Sequence, residues 1–256
     1  MYTSDIELIC KMSEKKAKAA KNNLGKYIGR GIVTGFYMVI AIILSYTTGA
    51  MLYPKYPEVA KVIIAATFCF AIAQVVFFSG ELFTSNNFVM SVGLMKKKVN
   101  VPTVLKIWVL TLIANAIGII FLSFLFVKSG ASLDIISHYI EKVANGKLEL
   151  TPIQMLLRGI LCNFSVCLAY LGGIKMKSES GKFIMIFFAV FAFIIAGFEH
   201  SIANIGIFSI AYFSLGGLPM ALVLKNLFFV IIGNIIGGGL LLGGSLTYIS
   251  VDGENK

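Results

Sequence analysis

Two short runs gather side chains able to handle charge and protons. They are Gly80-Glu81-Leu82-Phe83-Thr84-Ser85-Asn86-Asn87 and Gly197-Phe198-Glu199-His200-Ser201-Ile202-Ala203-Asn204. Each places an acid, a hydroxyl and an Asn close together. The imidazole of His200 ordinarily titrates near about 6.5. It can donate a hydrogen bond to a dehydrated anion or, when protonated, supply charge or a proton. The Thr84 and Ser85 hydroxyls both donate and accept; the bland role for such residues is a helix N-cap. Glu81 and Glu199 would repel an anion if they lined its path. They are assigned instead to bracing irregular backbone through its freed N–H groups, with Asn204 as a further structural support. Ser201 beside His200 has the residue types of a hydrolase. Consecutive positions on a helix do not face each other, however, and no third orienting group appears. The chain has only two His and four Cys, with no His-Glu-x-x-His and no Cys-x-x-Cys. No metal or cofactor is expected, and the chain does not read as an enzyme.

Both runs interrupt stretches that are otherwise apolar. Hydrophobic residues make up 58% of the 256 and charged residues 13%, with a mean hydropathy of +0.89. A soluble domain of this length could not hide so much apolar surface, and lipid is the natural place for it. At roughly 20 residues per span, six spans fall near 28–50, 60–95, 103–127, 152–172, 183–213 and 222–249. The second and fifth are too long for one plain helix and contain the polar runs. Each is therefore read as two half-helices joined by unwound backbone, tolerated at membrane depth only inside protein or along a cavity. The remaining segments are a cytoplasmic amphipathic lead (1–27), an extracytoplasmic loop (128–151) and a cytoplasmic tail (250–256).

Lys and Arg placement sets the orientation. Fifteen of the 22 fall on one side: Lys11, Lys15, Lys16, Lys18, Lys21, Lys26, Arg30, Lys96, Lys97, Lys98, Lys106, Lys175, Lys177, Lys182 and Lys256. The positive-inside rule then puts both termini in the cytoplasm. Beside a membrane, anionic lipid headgroups rather than nucleic acid are the expected neighbours of Lys15, Lys16, Lys18 and Lys21.

Self-comparison organises the chain. Arg30-Gly31-Ile32 aligns with Arg158-Gly159-Ile160, Glu81 with Glu199, and Asn115-Ala116-Ile117-Gly118 with Asn234-Ile235-Ile236-Gly237. Three spans per repeat (28–127 and 152–249) require the second to be inserted upside down relative to the first. The expected fold is an all-α membrane protein of two inverted three-helix repeats, its broken spans meeting near the midplane. Half-helix N-termini there carry partial positive charge and favour anions. Gly31, Gly35, Gly233 and Gly237 are read as helix-packing positions.

At these residues the chain resembles the formate/nitrite transporter family over about 25–250. The carriers are the two polar runs, Arg158-Gly159-Ile160-Leu161-Cys162-Asn163 and Gly233-Asn234-Ile235-Ile236-Gly237-Gly238. Within the family the chain is most similar to the hydrosulfide-channel branch. The resemblance implies an aquaporin-like protomer, a homopentamer with one pore per protomer, and passage of small monovalent anions such as hydrosulfide, formate and nitrite across the inner membrane. It implies His200 as the central pore residue with Asn163 beside it, Thr84 as the loop threonine and Lys147 as a pore-entry cation. It also implies one constriction at Phe68 and Phe193 with Leu82 nearby, and another at Ile72, Phe83 and Val166. Ile72 departs from the family, where Leu occurs. Without the resemblance, these apolar residues would be read as core and Lys147 as a solvated loop cation. The competing functions are a channel for small neutral solutes, which should show Asn-Pro-Ala breaks absent here, and, lower, a membrane-embedded hydrolase.

Overall fold

The computed structural model describes residues 3–250, so the expected tail lies almost wholly outside the described residues. Every regular element among the described residues is a helix: α1 (Thr3–Asn22), α2 (Leu24–Leu52), α3 (Pro57–Phe77), α4 (Phe83–Met95), α5 (Val101–Lys128), α6 (Leu133–Leu148), α7 (Pro152–Lys175), α8 (Glu179–Ile195), α9 (Ser201–Leu215) and α10 (Met220–Ile235). After α10 the helix continues through a π-helical stretch, Ile236–Gly244, and a last turn, Ser245–Tyr248.

Local sequence explains the helix starts. Asn23 and Asn100 accept the backbone N–H of Lys26 and Thr103, and Ser178 accepts that of Gly181. Thr151 and Gln154 form a reciprocal capping box, with Pro152 in the first turn. Between these starts run apolar sequences. Five helical stretches are long and apolar enough to cross a membrane: Leu24–Leu52, Pro57–Phe77, Val101–Lys128, Pro152–Lys175 and Met220–Tyr248. The fifth expected span, 183–213, is divided between α8 and α9, of 17 and 15 residues, each too short alone.

The stretch 128–151, expected to be a loop, instead contains the 16-residue helix α6. Its Ile136, Ile140, Ala144 and Leu148 recur every four residues and form a buried stripe. That stripe packs on α9 and α2, so the segment is part of the body of the protein.

Helix pairs touch at corresponding glycines. A Cβ on Gly118 would strike the carbonyl of Ile32 where α2 crosses α5. One on Gly237 would strike the carbonyl of Ile160 where α7 crosses the extension of α10. Such approach suits bilayers, where packing rather than hydrophobic exclusion drives helix association. The main core draws on α2 to α10 and includes Phe68, Ile72, Leu82, Phe83, Val166 and Phe193.

Candidate functional site

Both broken spans open in the same way. Backbone after α3 turns at Ser79 (φ 53°), and backbone after α8 turns at Gly197 (φ 75°). Such left-handed turns end the first half-helix. The chain then runs extended through Leu82 and His200 before α4 and α9 begin.

One asparagine ties each break together. Asn115 donates to the carbonyls of Gly31 and Glu81 at 2.8 and 2.9 Å, and its Oδ1 accepts the Phe83 N–H at 3.0 Å. Asn234 donates to the carbonyls of Gly159 and Glu199 at 2.8 and 3.0 Å, and accepts the Ser201 N–H at 2.9 Å. Both side chains are wholly buried. Each therefore replaces the hydrogen bonds that unwinding takes from the backbone. The repeat alignment contains these two residues, but their bracing role depends on contacts across tens of residues in sequence.

The two carboxylates are held differently from expectation. Neither is spent on freed N–H groups. Glu81 pairs with Lys16 at 2.6 Å and accepts from Tyr27 and Asn86. Glu199 pairs with Lys147 at 2.8 Å and accepts from Asn204 at 2.6 Å. A buried charge needs such a partner, because unpaired it would be costly. Lys16 is buried and so is no neighbour of lipid headgroups, and Lys147 on α6 is paired rather than solvated. Burial opposes the charge of Lys16, but Tyr170, Glu81 and Tyr27 around it outweigh that and raise its pKa. Each break thus has an acid, an Asn and a lysine from the amphipathic helix that precedes its repeat.

The N-termini of α4 and α9 meet where Thr84 Oγ1 lies 3.0 Å from His200 Nε2. His200 caps α9 itself, with Nδ1 accepting the Ala203 N–H at 3.0 Å. That nitrogen offers a lone pair, so the hydrogen of the neutral ring sits on Nε2 and points at Thr84. Thr84 accepts it, and its own hydroxyl hydrogen remains available to a third group. Ser85 donates back to the Leu82 carbonyl at 3.0 Å and is not the N-cap. Asn163, wholly buried, donates to the Thr84 carbonyl at 3.2 Å and to the Asn234 carbonyl at 2.6 Å. Thr84, expected in a loop, stands in the first turn of α4, and Asn163 links that turn to the brace of the other break. Asn204 also donates to Asn226, which in turn donates to the Lys147 carbonyl.

Of two cavities of about 300 Å³ each, one reaches His200 and the other reaches the first break at Gly80 and Glu81. One is lined by Lys147, Arg158, Lys142, Tyr46, Tyr53, Tyr139, Phe68, Phe193 and His200. The other is lined by Lys15, Lys16, Arg30, Glu81, Val75, Val76, Tyr170 and Gly173. Arg158 and Gly173 lie fifteen residues apart on α7, roughly 22 Å of helix, so the cavities open at opposite ends. Phe68 and Phe193 meet edge to face at 6.4 Å, and Phe193 stacks on His200 at 6.2 Å. Ile72, Leu82, Phe83 and Val166 line neither cavity and are at most 1% exposed. They belong to the buried apolar core. Among the described residues no group of three or more His, Cys, Asp or Glu could hold a metal, and the four Cys are free and buried.

Comparison with known proteins follows the same lines. The family model described as formate/nitrite transporter matches residues 6–248. The nitrite transporter NirC of Escherichia coli (strain K12) is 29% identical over 247 residues, covering 95% of this chain and 90% of that one. A probable formate transporter of Methanothermobacter thermautotrophicus is 32% identical over 250 residues, covering 90% of each. Among solved structures, an FNT family ion channel superposes with a TM-score of 0.91 at 27% identity, covering 98% of this chain and all of that one. A pentameric formate channel with formate bound shares the fold, with a TM-score of 0.77 at 24% identity over 90% of this chain and 98% of that one. By name these proteins are transporters and channels, not enzymes.

Proposed function

The chain belongs to the formate/nitrite transporter family, and from that premise we propose that it is a homopentameric channel for small monovalent anions, with one pore through each protomer. The observation that carries the reading is the buried Thr84–His200 contact, with one basic cavity reaching His200 and another reaching the first break at Glu81. The names of the relatives support formate and nitrite as substrates, and hydrosulfide meets the same requirements of single charge and small size.

In this reading an anion gathers near Lys147 and Arg158, or near Lys16 and Arg30, where fixed positive charge raises its local concentration. The Glu partners hold the lysines in place and moderate the attraction, so that the ion is not trapped. Passage between Phe68 and Phe193 strips water, which costs free energy for any charged species. Thr84 then offers its free hydroxyl hydrogen, and His200 Nε2–H polarises that hydroxyl. The N-terminal turns of α4 and α9 add partial positive charge from two directions. Ile72, Leu82, Phe83 and Val166 form the second constriction, which can gate by dewetting.

The architecture is read as six spans in two inverted repeats, an aquaporin-like protomer with both termini cytoplasmic in the inner membrane. Matching roles of Asn115 and Asn234, Glu81 and Glu199, and Lys16 and Lys147 support it. They also favour extending the repeats to include α1 and α6, in place of the separate segments 1–27 and 128–151. Uptake of labelled formate into proteoliposomes tests the function. The reading predicts competition by nitrite and none by glycerol; uptake no faster than in protein-free vesicles would overturn it.

A further inference from the structure

The basic face of α1 is divided. Lys15 and Lys16 line a pore cavity, whereas Lys18 and Lys21 turn towards α5. There an open cleft of about 400 Å³ is lined by Lys18, Lys21 and Asn22 from α1 and by Thr103, Lys106 and Ile107 from α5. No carboxylate lines it. The neighbouring cleft along α1 differs, since Glu7 and Glu14 there stand beside Lys11, Lys96 and Lys98. Lys18, Lys21 and Lys106 are exposed and form no ion pair with a described residue. Three like charges converge without compensation.

Below Lys106 on α5 stand Val109, Ile113, Ile117 and Ile120, at 54%, 53%, 48% and 46% exposure. Positions three, seven, eleven and fourteen residues on share one helix face, so a continuous apolar track descends from the charged cleft. We propose that this cleft binds an anionic phospholipid, the three ammonium groups holding the headgroup phosphate and the acyl chains lying along the Val109–Ile120 face. The proposal rests on α5 spanning the membrane with this end at its surface. Lysines near an anionic surface attract it strongly, and a lysine one or two turns inside a span reaches back to the headgroups. Free phosphate would use the charges but not the track, so the combination favours the lipid.

The test is lipid retention by the purified full-length protein, read by native mass spectrometry after incubation with phosphatidylglycerol or phosphatidylcholine. The expected result is selective retention of phosphatidylglycerol. Retention should weaken about fivefold for each lysine neutralised among Lys18→Gln, Lys21→Gln and Lys106→Gln. A triple Lys→Arg variant should keep it, as should Lys11→Gln/Lys96→Gln outside the cleft. Undiminished retention in the triple Gln variant would overturn the proposal. So would equal retention of both lipids, loss in the Arg variant, or displacement of the lipid by millimolar inorganic phosphate, which would mark a free-phosphate site.

Discussion

His200 Nε2 and Thr84 Oγ1 lie 3.0 Å apart, joining half-helix N-termini that come from positions 116 residues apart in the chain. Because Nδ1 of the same ring is committed to the Ala203 amide, the ring presents one donor to the hydroxyl, and the hydroxyl presents one donor beyond it. The loss of that outer donor is the sharpest way to separate its chemistry from the packing around it.

Thr84→Val keeps the shape of the side chain and removes the hydroxyl. It should slow anion flux by about 5–150-fold, the equivalent of one hydrogen bond of roughly 1–3 kcal/mol lost from the barrier. Thr84→Ser should retain most of the flux. Initial rates in proteoliposomes measure this, and a Val variant as fast as the parent would remove Thr84 from the path.

Asn115 and Asn234 should be the most sensitive structural positions. Replacing either by Leu strands the Glu81 or Glu199 carbonyl and the Phe83 or Ser201 amide N–H, each costing about 1–3 kcal/mol when buried and unsatisfied. Thermal unfolding in detergent should show a large loss for both variants, of similar size. A small loss in one alone would mean the two breaks are not held in the same way.

Much of this was legible before the structure. The polar runs stood out because Glu, His and Ser are costly in apolar segments, and the repeated Asn-x-x-Gly marked both braces. What Asn115 does could not be read, because its partners lie 84, 34 and 32 residues away. Lys16 and Lys147 looked like surface cations because their acids lie in the two breaks, 65 and 52 residues away in the chain. The helix at 133–148 carried a readable signal in Ile136, Ile140, Ala144 and Leu148, which a reading of 128–151 only as the loop between two repeats passes over.

The Lys147–Glu199 pair gives a third prediction. Lys147→Met leaves a buried carboxylate uncompensated and should cost about 3–5 kcal/mol of stability. The double variant Lys147→Met/Glu199→Gln should recover most of it. A double-mutant cycle of unfolding measurements checks this, and simple additivity would contradict a coupled buried pair.

Phe193→Ala opens the edge-to-face contact with Phe68. It should admit glycerol, excluded by the parent, while costing about 3–5 kcal/mol in the core. Osmotic swelling of vesicles reports the change. Continued exclusion of glycerol by a folded variant would place the constriction elsewhere.

The most direct measurement is stopped-flow entry of hydrosulfide, formate, nitrite and glycerol into liposomes carrying the purified protein, beside His200→Ala. The account predicts saturable entry of the three anions, little glycerol entry, and anion rates in the variant reduced at least about tenfold, or roughly 1.4 kcal/mol of barrier. Glycerol entry without anion entry, or a variant indistinguishable from the parent, would contradict a pore centred on His200.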